Sequence, residues 1–177
     1  MKENSLTSIL IRYFVLLVVA IPNLWLFYLV FKPLTVYPVY WLLSIFYDTL
    51  LISGNIIMVN LSIPIELIGA CIAGSAYYLL LILNLSVPGI KIKKRIKMLA
   101  LVFLTFLIIN ILRIFFLSTI AISGSNLFDI THRLFWYVLS TVIVVALWFA
   151  EVKIFKIKTI PVYSDMKFLY KLGKKKR

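Results

Sequence analysis

The amino-acid sequence predicts an all-α, polytopic transmembrane helix bundle of about five spans, with six as the upper limit. The 177 residues are 63% hydrophobic and 14% charged, with a mean hydropathy of +1.07, whereas a soluble domain is roughly 45–50% apolar. A spanning helix takes about 20 apolar residues, which leaves room for five or six. Lys and Arg number 19 against 6 Asp and Glu. In so apolar a chain this excess indicates membrane topology and excludes a soluble DNA-binding domain.

The first part of the chain predicts two spans joined by a proline-containing connection. The first apolar stretch covers about residues 6–31 and exceeds the roughly 7–15 residues of a signal-peptide core, so we expect a retained helix with a kink near Pro22. Proline removes a backbone donor and disfavours helix in the residue before it. Pro33 and Pro38 therefore predict a short connection, followed by a second span over about residues 39–53.

A carboxylate and an interrupted β-branched run follow in this region. Asp48 would lie inside the second span, where an unpaired charge is costly, so we expect it to face other helices. Residues 53–64 mix Gly, Asn, Ser and Pro with isoleucines. This pattern predicts a short irregular extracytoplasmic segment, extended or re-entrant, before the third span.

The remaining spans are expected over about residues 67–85, 98–120 and 134–151. The third is rich in small residues in its first half, which allow another helix to approach closely. A basic segment at 91–97 separates the third span from the fourth, and the loop 121–133 separates the fourth from the fifth.

Basic residues set the expected orientation. Five lie in residues 91–97 and nine in residues 153–177, and short basic segments stay cytoplasmic. The loop 121–133 is therefore predicted outside, although the side on which the N-terminus lies stays open. The tail either rests on anionic lipid or acts only as a topological anchor.

Three rare side chains are expected at one depth of the membrane. Cys71, the single cysteine, opens the third span; Arg113 lies one or two turns below the outer end of the fourth; and His132, the single histidine, precedes the fifth. Taken singly, such a cysteine is commonly a packing residue, a loop histidine is often incidental, and an arginine can snorkel to the interface. An arginine within a span is nevertheless functional by default.

Together these residues have the chemistry of a thiol active site. A free thiol with a pKa of about 8.5 is mostly protonated at neutral pH, and a neighbouring cation favours the reactive thiolate. Arg113 would stabilise the oxyanion formed when Cys71 attacks a carbonyl, and His132 would exchange protons with the leaving and incoming groups. Asn110, three residues before Arg113 on the same helical face, could orient it by a hydrogen bond.

Single Cys and His residues exclude a disulfide framework and a zinc site built from several such ligands.

The order of these residues resembles the exosortase/archaeosortase family of membrane transpeptidases, and a compact archaeal member in particular. The likeness covers about residues 66–150. The matching segments are Gly69-Ala70-Cys71-Ile72-Ala73-Gly74-Ser75, Asn110-Ile111-Leu112-Arg113 and His132-Arg133. The resemblance implies an enzyme that cuts surface proteins near a C-terminal signal made of a short motif, a transmembrane helix and a basic cluster. It implies transfer of the new C-terminus to a membrane lipid or other surface acceptor, with Cys71 as nucleophile and Arg113 as its partner.

The third catalytic position is open between two adjacent residues, because bacterial family members carry His there and some archaeal members carry Arg. We assign His132, which can shuttle protons near neutral pH, whereas Arg133 would bind the substrate backbone or a lipid phosphate. Glu66 and Asp129 are acidic residues on the same side. They either orient His132, pair with Arg133 or are simply solvated.

We therefore expect a single transmembrane catalytic domain over residues 1–152 and a basic cytoplasmic tail over 153–177, with neither cofactor nor metal. The expected partners are surface proteins with a C-terminal sorting signal and a membrane lipid as acceptor. One alternative is a membrane protease that stops at hydrolysis. The other is a non-enzymatic small transporter or assembly protein, in which Arg113 pairs with Asp48 and Cys71 merely packs.

Overall fold

The computed structural model describes residues 6–21, 23–125, 128–134, 140–157, 159 and 161–175. These residues are mostly helical, as the sequence predicts, but they also form a small sheet, so the all-α prediction is wrong. The elements in chain order are α1 (Leu6–Ala20), α2 (Trp25–Ser44), β1 (Thr49–Ile52), β2 (Ile56–Val59), β3 (Ile63–Glu66), α3 (Gly69–Ile72), α4 (Gly74–Leu85), α5 (Ile92–Ile122), α6 (Phe128–Leu134), α7 (Ser140–Ile154) and α8 (Tyr163–Lys175).

The first apolar stretch forms two helices, where the sequence predicts one kinked helix ending near residue 31. α1 ends at Ala20 and α2 begins at Trp25. Between them, Asn23 and Leu24 have φ angles of 50° and 58°. This left-handed conformation is incompatible with a continuing right-handed helix, so the chain breaks here.

Proline does not interrupt the second helix. Pro33 and Pro38 both lie inside α2, although a proline within a helix removes a hydrogen bond and costs about 3 kcal/mol. Packing offsets this cost, because α2 contacts α3, α4 and α5 and its Val39 and Leu43 are fully buried. The predicted connection and the predicted span over residues 39–53 are therefore wrong.

The segment expected to be irregular is a three-stranded antiparallel sheet in the order β1-β2-β3. Ile57 of β2 lies opposite Leu51 of β1 and Ile65 of β3. Ile57 and Val59 are fully buried on one face of the sheet, which is where β-branched side chains pack well. Asp48 precedes β1 and is exposed, so its expected place inside a span is also wrong.

The third predicted span is broken near its start. α3 is a single turn, and Ala73, with a φ of 59°, separates it from α4. A side-chain Cβ on Gly74 would lie 2.9 Å from Cζ of Tyr28. Glycine at this position therefore lets the Tyr28 ring of α2 approach the start of α4.

The basic segment before the fourth span is helical instead of a loop, because α5 begins at Ile92 and extends beyond the expected 98–120 at both ends. Arg95 is buried in its first turns. Its guanidinium donates to the carbonyl oxygens of Asn84, at 2.6 Å, and Val87, at 2.7 Å. Carbonyls at a helix C-terminus lack partners within the helix, so Arg95 joins the end of α4 to the start of α5.

A buried polar network lies at the same end of α4, away from the sheet. Arg12 of α1 forms an ion pair with Asp165 of α8 at 2.9 Å and donates to the carbonyl of Leu85. Asn84 donates to the carboxylate of Glu151 in α7 at 2.9 Å. Residues expected as a basic tail thus include an amphipathic helix, α8, that is tied to α1.

Helix length and composition are the features that indicate membrane crossing. Within the described part of the chain, α2 and α5 are the two helices long and apolar enough to cross a membrane, while α1 and the Gly69–Leu85 stretch are apolar but shorter. Two such helices in the described part of the chain are fewer than the predicted five spans. The expected fifth span, 134–151, coincides with the last residue of α6 and most of α7, and its residues 135–139 lie outside the described residues.

Candidate active site

A cavity of about 350 Å³ lies between the sheet and the second half of α5. Cys71, Arg113 and His132, which the sequence predicts as catalytic, all line it. The remaining lining residues are mostly apolar: Ile63, Pro64, Ile65, Glu66, Leu67, Ile68, Ala70, Ile114, Leu117, Ser118, Ala121 and Phe128. An apolar cavity with a few convergent polar groups is the usual form of a small binding or active site. The structure thus brings three residues that are distant in sequence to one place, while their catalytic role stays a prediction.

Cys71 is placed by the short helix α3. Its backbone N–H donates to the carbonyl of Ile68 at 2.9 Å, and the helix ends at the next residue, Ile72. The Cys71 side chain is partly buried and forms no disulfide. Because the chain turns sharply after Ile72, the cysteine lies at the end of the α3–α4 pair that faces the cavity.

Two side chains of α5 hold the Cys71 backbone. Asn110 Nδ2 donates to the Cys71 carbonyl oxygen at 2.9 Å, and Arg113 Nη2 donates to the same oxygen at 3.4 Å. The sequence allows a hydrogen bond from Asn110 that orients Arg113; in the structure the two side chains instead donate to one shared acceptor. Together they fix α3 against α5 and keep the guanidinium beside the cysteine.

Arg113 has a second anchor that sequence reasoning missed. Its Nη1 donates to Oγ of Ser140, the first described residue of α7, at 2.7 Å. Its Nε is buried without a hydrogen-bond partner among the described residues. Each Nη carries two N–H groups, so donors remain for a ligand while Ser140 and Cys71 fix the orientation. Nothing in the sequence around Ser140 indicates this contact, because a small hydroxyl residue in an apolar run is unremarkable.

The adjacent residues His132 and Arg133 differ in their relation to the cavity. His132 lines the cavity and is partly buried, and its ring stacks on that of Phe128 with centroids 5.4 Å apart and an interplanar angle of 5°. Arg133 is exposed and is not among the lining residues. This geometry favours the assignment of His132 to the third position.

The two acidic candidates are placed differently. Glu66, at the end of β3, lines the cavity, is exposed, and accepts a hydrogen bond from Asn55 at 3.4 Å. The side chain of Asp129 lies outside the described residues. Glu66 is thus a negative charge at the rim of a cavity whose inner cation is Arg113.

Two opposing electrostatic effects act on the Cys71 sulfur. Arg113 supplies a positive charge next to Cys71, which stabilises a thiolate. The mostly apolar lining opposes this effect, because apolar surroundings disfavour a charged sulfur, so a thiolate here depends on the guanidinium beside it. In the part of the chain that the structure describes, no group of three or more His, Cys, Asp or Glu could hold a metal ion; the expected absence of a metal stays a prediction.

Comparisons with known proteins assign no family to the chain. No protein-family model, curated protein or solved structure matches it. The likeness to exosortases and archaeosortases therefore rests on the residues of the sequence themselves.

Proposed function

We propose that this protein is a membrane-embedded cysteine protease and transpeptidase of the exosortase/archaeosortase type. It cleaves the C-terminal sorting signal of surface proteins and transfers the new C-terminus to a lipid or other surface acceptor. The observation that carries the proposal is the convergence of Cys71, Arg113 and His132 on one cavity. A thiol, a guanidinium and an imidazole on separate elements supply the nucleophile, the oxyanion donor and the proton carrier that acyl transfer needs.

The first half-reaction forms a thioester. The Cys71 thiolate attacks the scissile carbonyl carbon, and the carbonyl oxygen becomes an oxyanion that accepts hydrogen bonds from the free N–H groups of Arg113. As the C–N bond breaks, the His132 imidazolium gives its proton to the leaving amine. The downstream apolar helix of the substrate departs with that amine.

The second half-reaction regenerates the enzyme. Neutral His132 takes a proton from an amine or hydroxyl of the acceptor, which attacks the thioester carbon and expels the Cys71 thiolate. Water in place of the acceptor gives hydrolysis instead. The fixed position of Arg113, held by Ser140 and the Cys71 carbonyl, supports a donor that needs little reorganisation during either step.

The mass of the processed product tests the reaction. The protein is co-expressed with a tagged secreted protein from the same genome that ends in a short motif, an apolar helix and a basic cluster, called here the tagged substrate. We expect a truncated product whose mass exceeds that of the free carboxylate by the mass of an acceptor. A product with a bare carboxylate would establish the hydrolytic protease instead, and an uncut tagged substrate would contradict both.

The contacts of Arg113 weaken the non-enzymatic alternative. That alternative requires a pair between Arg113 and Asp48, yet Asp48 is exposed before β1. Arg113 donates instead to Ser140 and to the Cys71 carbonyl. Arg113 is thus left available to a ligand in the cavity.

We further propose a multi-pass cell-membrane protein with its cavity outside and its tail in the cytoplasm. The fourteen basic residues of 91–97 and 153–177 support a cytoplasmic position for the start of α5 and for α8. Arg12 binds both Asp165 of α8 and the last carbonyl of α4. This contact supports a cytoplasmic start for α1 as well.

The helices α1 and α2 together make one crossing in this arrangement. Tyr78 of α4 donates to the carbonyl of Leu16 in α1 at 3.1 Å, and its ring lies 6.3 Å from that of Phe27 in α2. The end of α1 and the start of α2 thus contact the same turn of α4. The ring centroid of Phe46, just after α2, lies 5.9 Å from that of Phe115 in the outer part of α5. With α3–α4, α5 and α7, this gives four crossings in place of five.

Cysteine labelling on intact cells tests this topology. In a Cys71→Ala background, Ser62→Cys in the sheet hairpin is expected to react with a membrane-impermeant maleimide from outside. Thr7→Cys at the start of α1 and Lys93→Cys at the start of α5 are expected to react only after permeabilisation. All three positions are exposed. Labelling of Thr7→Cys on intact cells would place the start of α1 outside and would contradict this topology.

A further inference from the structure

The edge of β3, rather than one of its faces, lines the cavity beside Cys71. Six consecutive residues, 63–68, contribute to the lining. Successive side chains of a strand point to opposite faces of a sheet, and the alternating burial of β3 follows this rule. A cavity lined by every residue in turn must therefore run along the backbone of the strand. In the described residues β3 pairs with β2 on one side and is the edge of the sheet on the other.

The register shows which backbone groups face that open edge. Leu67 N–H donates to the Asn55 carbonyl at 2.8 Å, and Ile65 lies opposite Ile57. Because hydrogen-bonded and non-hydrogen-bonded pairs alternate in an antiparallel ladder, residues 63, 65 and 67 bond to the β2 side. The backbone groups of Pro64 and Glu66 point the other way.

These outward groups form a short and selective hydrogen-bonding edge. They are the carbonyl of Pro64 and both the N–H and the carbonyl of Glu66, since proline has no N–H. Among the residues that the structure describes, no group bonds to any of the three. Proline on an edge strand discourages pairing with another sheet, but the groups that remain can still hold a short peptide.

We propose that an extended segment of the substrate adds to β3 as a fourth strand and that this pairing delivers the scissile carbonyl to Cys71. This inference rests on the proposed function and names how its peptide substrate is bound. The edge leads into Leu67 and Ile68 and then into α3, so a strand bound along it ends at the cysteine. Main-chain bonds give such a mode its affinity, and side-chain sites in the cavity give it specificity.

A proline substitution at position 66 tests the edge. Glu66→Pro removes the outward N–H without affecting the bonds to β2, and Glu66→Ala is the matched control that removes the side chain but keeps the N–H. With the purified full-length protein in lipid vesicles and a synthetic peptide covering the sorting signal of the tagged substrate, Glu66→Pro is expected to raise KM about tenfold over Glu66→Ala. The rate constant kcat is expected to be the same in the two variants, and so is the rate at which iodoacetamide alkylates Cys71. Equal KM values in the two variants would overturn the proposal.

Backbone methylation of the peptide gives a second test that leaves the protein unchanged. Peptides methylated at one amide nitrogen at a time are expected to lose binding at alternate positions, because only every second residue of an added strand faces β3. Sensitivity without this alternation would overturn strand addition. Processing that persists in Cys71→Ala would instead remove the proposed function, so the two failures are distinguishable.

Discussion

Replacing Cys71 with Ala is expected to abolish processing of the tagged substrate, with a loss of about 10⁴-fold or more in rate. The substitution removes the sulfur that would form the proposed thioester, while alanine is small enough to keep the helical turn between Gly69 and Ile72. The measurement is the fraction of truncated product over time in cells with no other enzyme of this kind. The uncut substrate should accumulate in the membrane, because its apolar helix is never released.

A nearby control separates the loss of the nucleophile from a loss of structure. Ser75→Ala lies one turn further along, in α4, and Ser75 is exposed, so this variant is expected to process at the normal rate. Both variants should show the same thermal unfolding in detergent. Normal processing by Cys71→Ala would mean that the cysteine only packs.

The second large effect is expected at His132. Loss of a general acid–base typically costs 10²- to 10⁴-fold in rate, and we expect His132→Ala to fall in this range. Arg133→Ala is the matched control, since the two residues are adjacent on α6 but only His132 lines the cavity. The measurement is kcat with the synthetic sorting-signal peptide. A larger loss in Arg133→Ala than in His132→Ala would assign the third position to the arginine.

The sequence was sufficient to predict the residues that meet at the cavity, although not their contacts. The distribution of basic residues predicts one common membrane depth for Cys71, Arg113 and His132, and all three line one cavity. Ser140 could not be found in this way. Its bond to Arg113 depends on the rotation of α7 about its axis, and an apolar helix without a polar face carries no signal for that rotation.

The errors in the predicted fold have one physical origin, which is packing between segments that are distant in the sequence. Pro33 and Pro38 are local signals for a break, but the burial of Val39 and Leu43 offsets their cost. The isoleucine-rich run before α3 was ambiguous because a short apolar run fits a strand, a loop or a buried helix equally well. Pairing with neighbouring strands decided between them, and that pairing is not visible in any single window of the sequence.

The fold and the site are linked through the sheet. β3 supplies one wall of the cavity and leads directly into the helical turn that carries Cys71. The residues that hold this turn, Asn110 and Arg113, lie on α5, one of the helices long enough to cross a membrane. An apolar helix thus fixes the proposed nucleophile from one side, and the strand edge proposed to bind an extended peptide lies on the other.

The most direct test of the proposed reaction is the detection of an acyl group on Cys71. The purified full-length protein in vesicles is mixed with the synthetic sorting-signal peptide without an acceptor, quenched with acid and digested for mass spectrometry. We expect the peptide containing Cys71 to gain the mass of the upstream part of the substrate, and hydroxylamine to remove this mass. Release of the downstream helix from the substrate with no such adduct in rapidly quenched samples would contradict the proposed reaction.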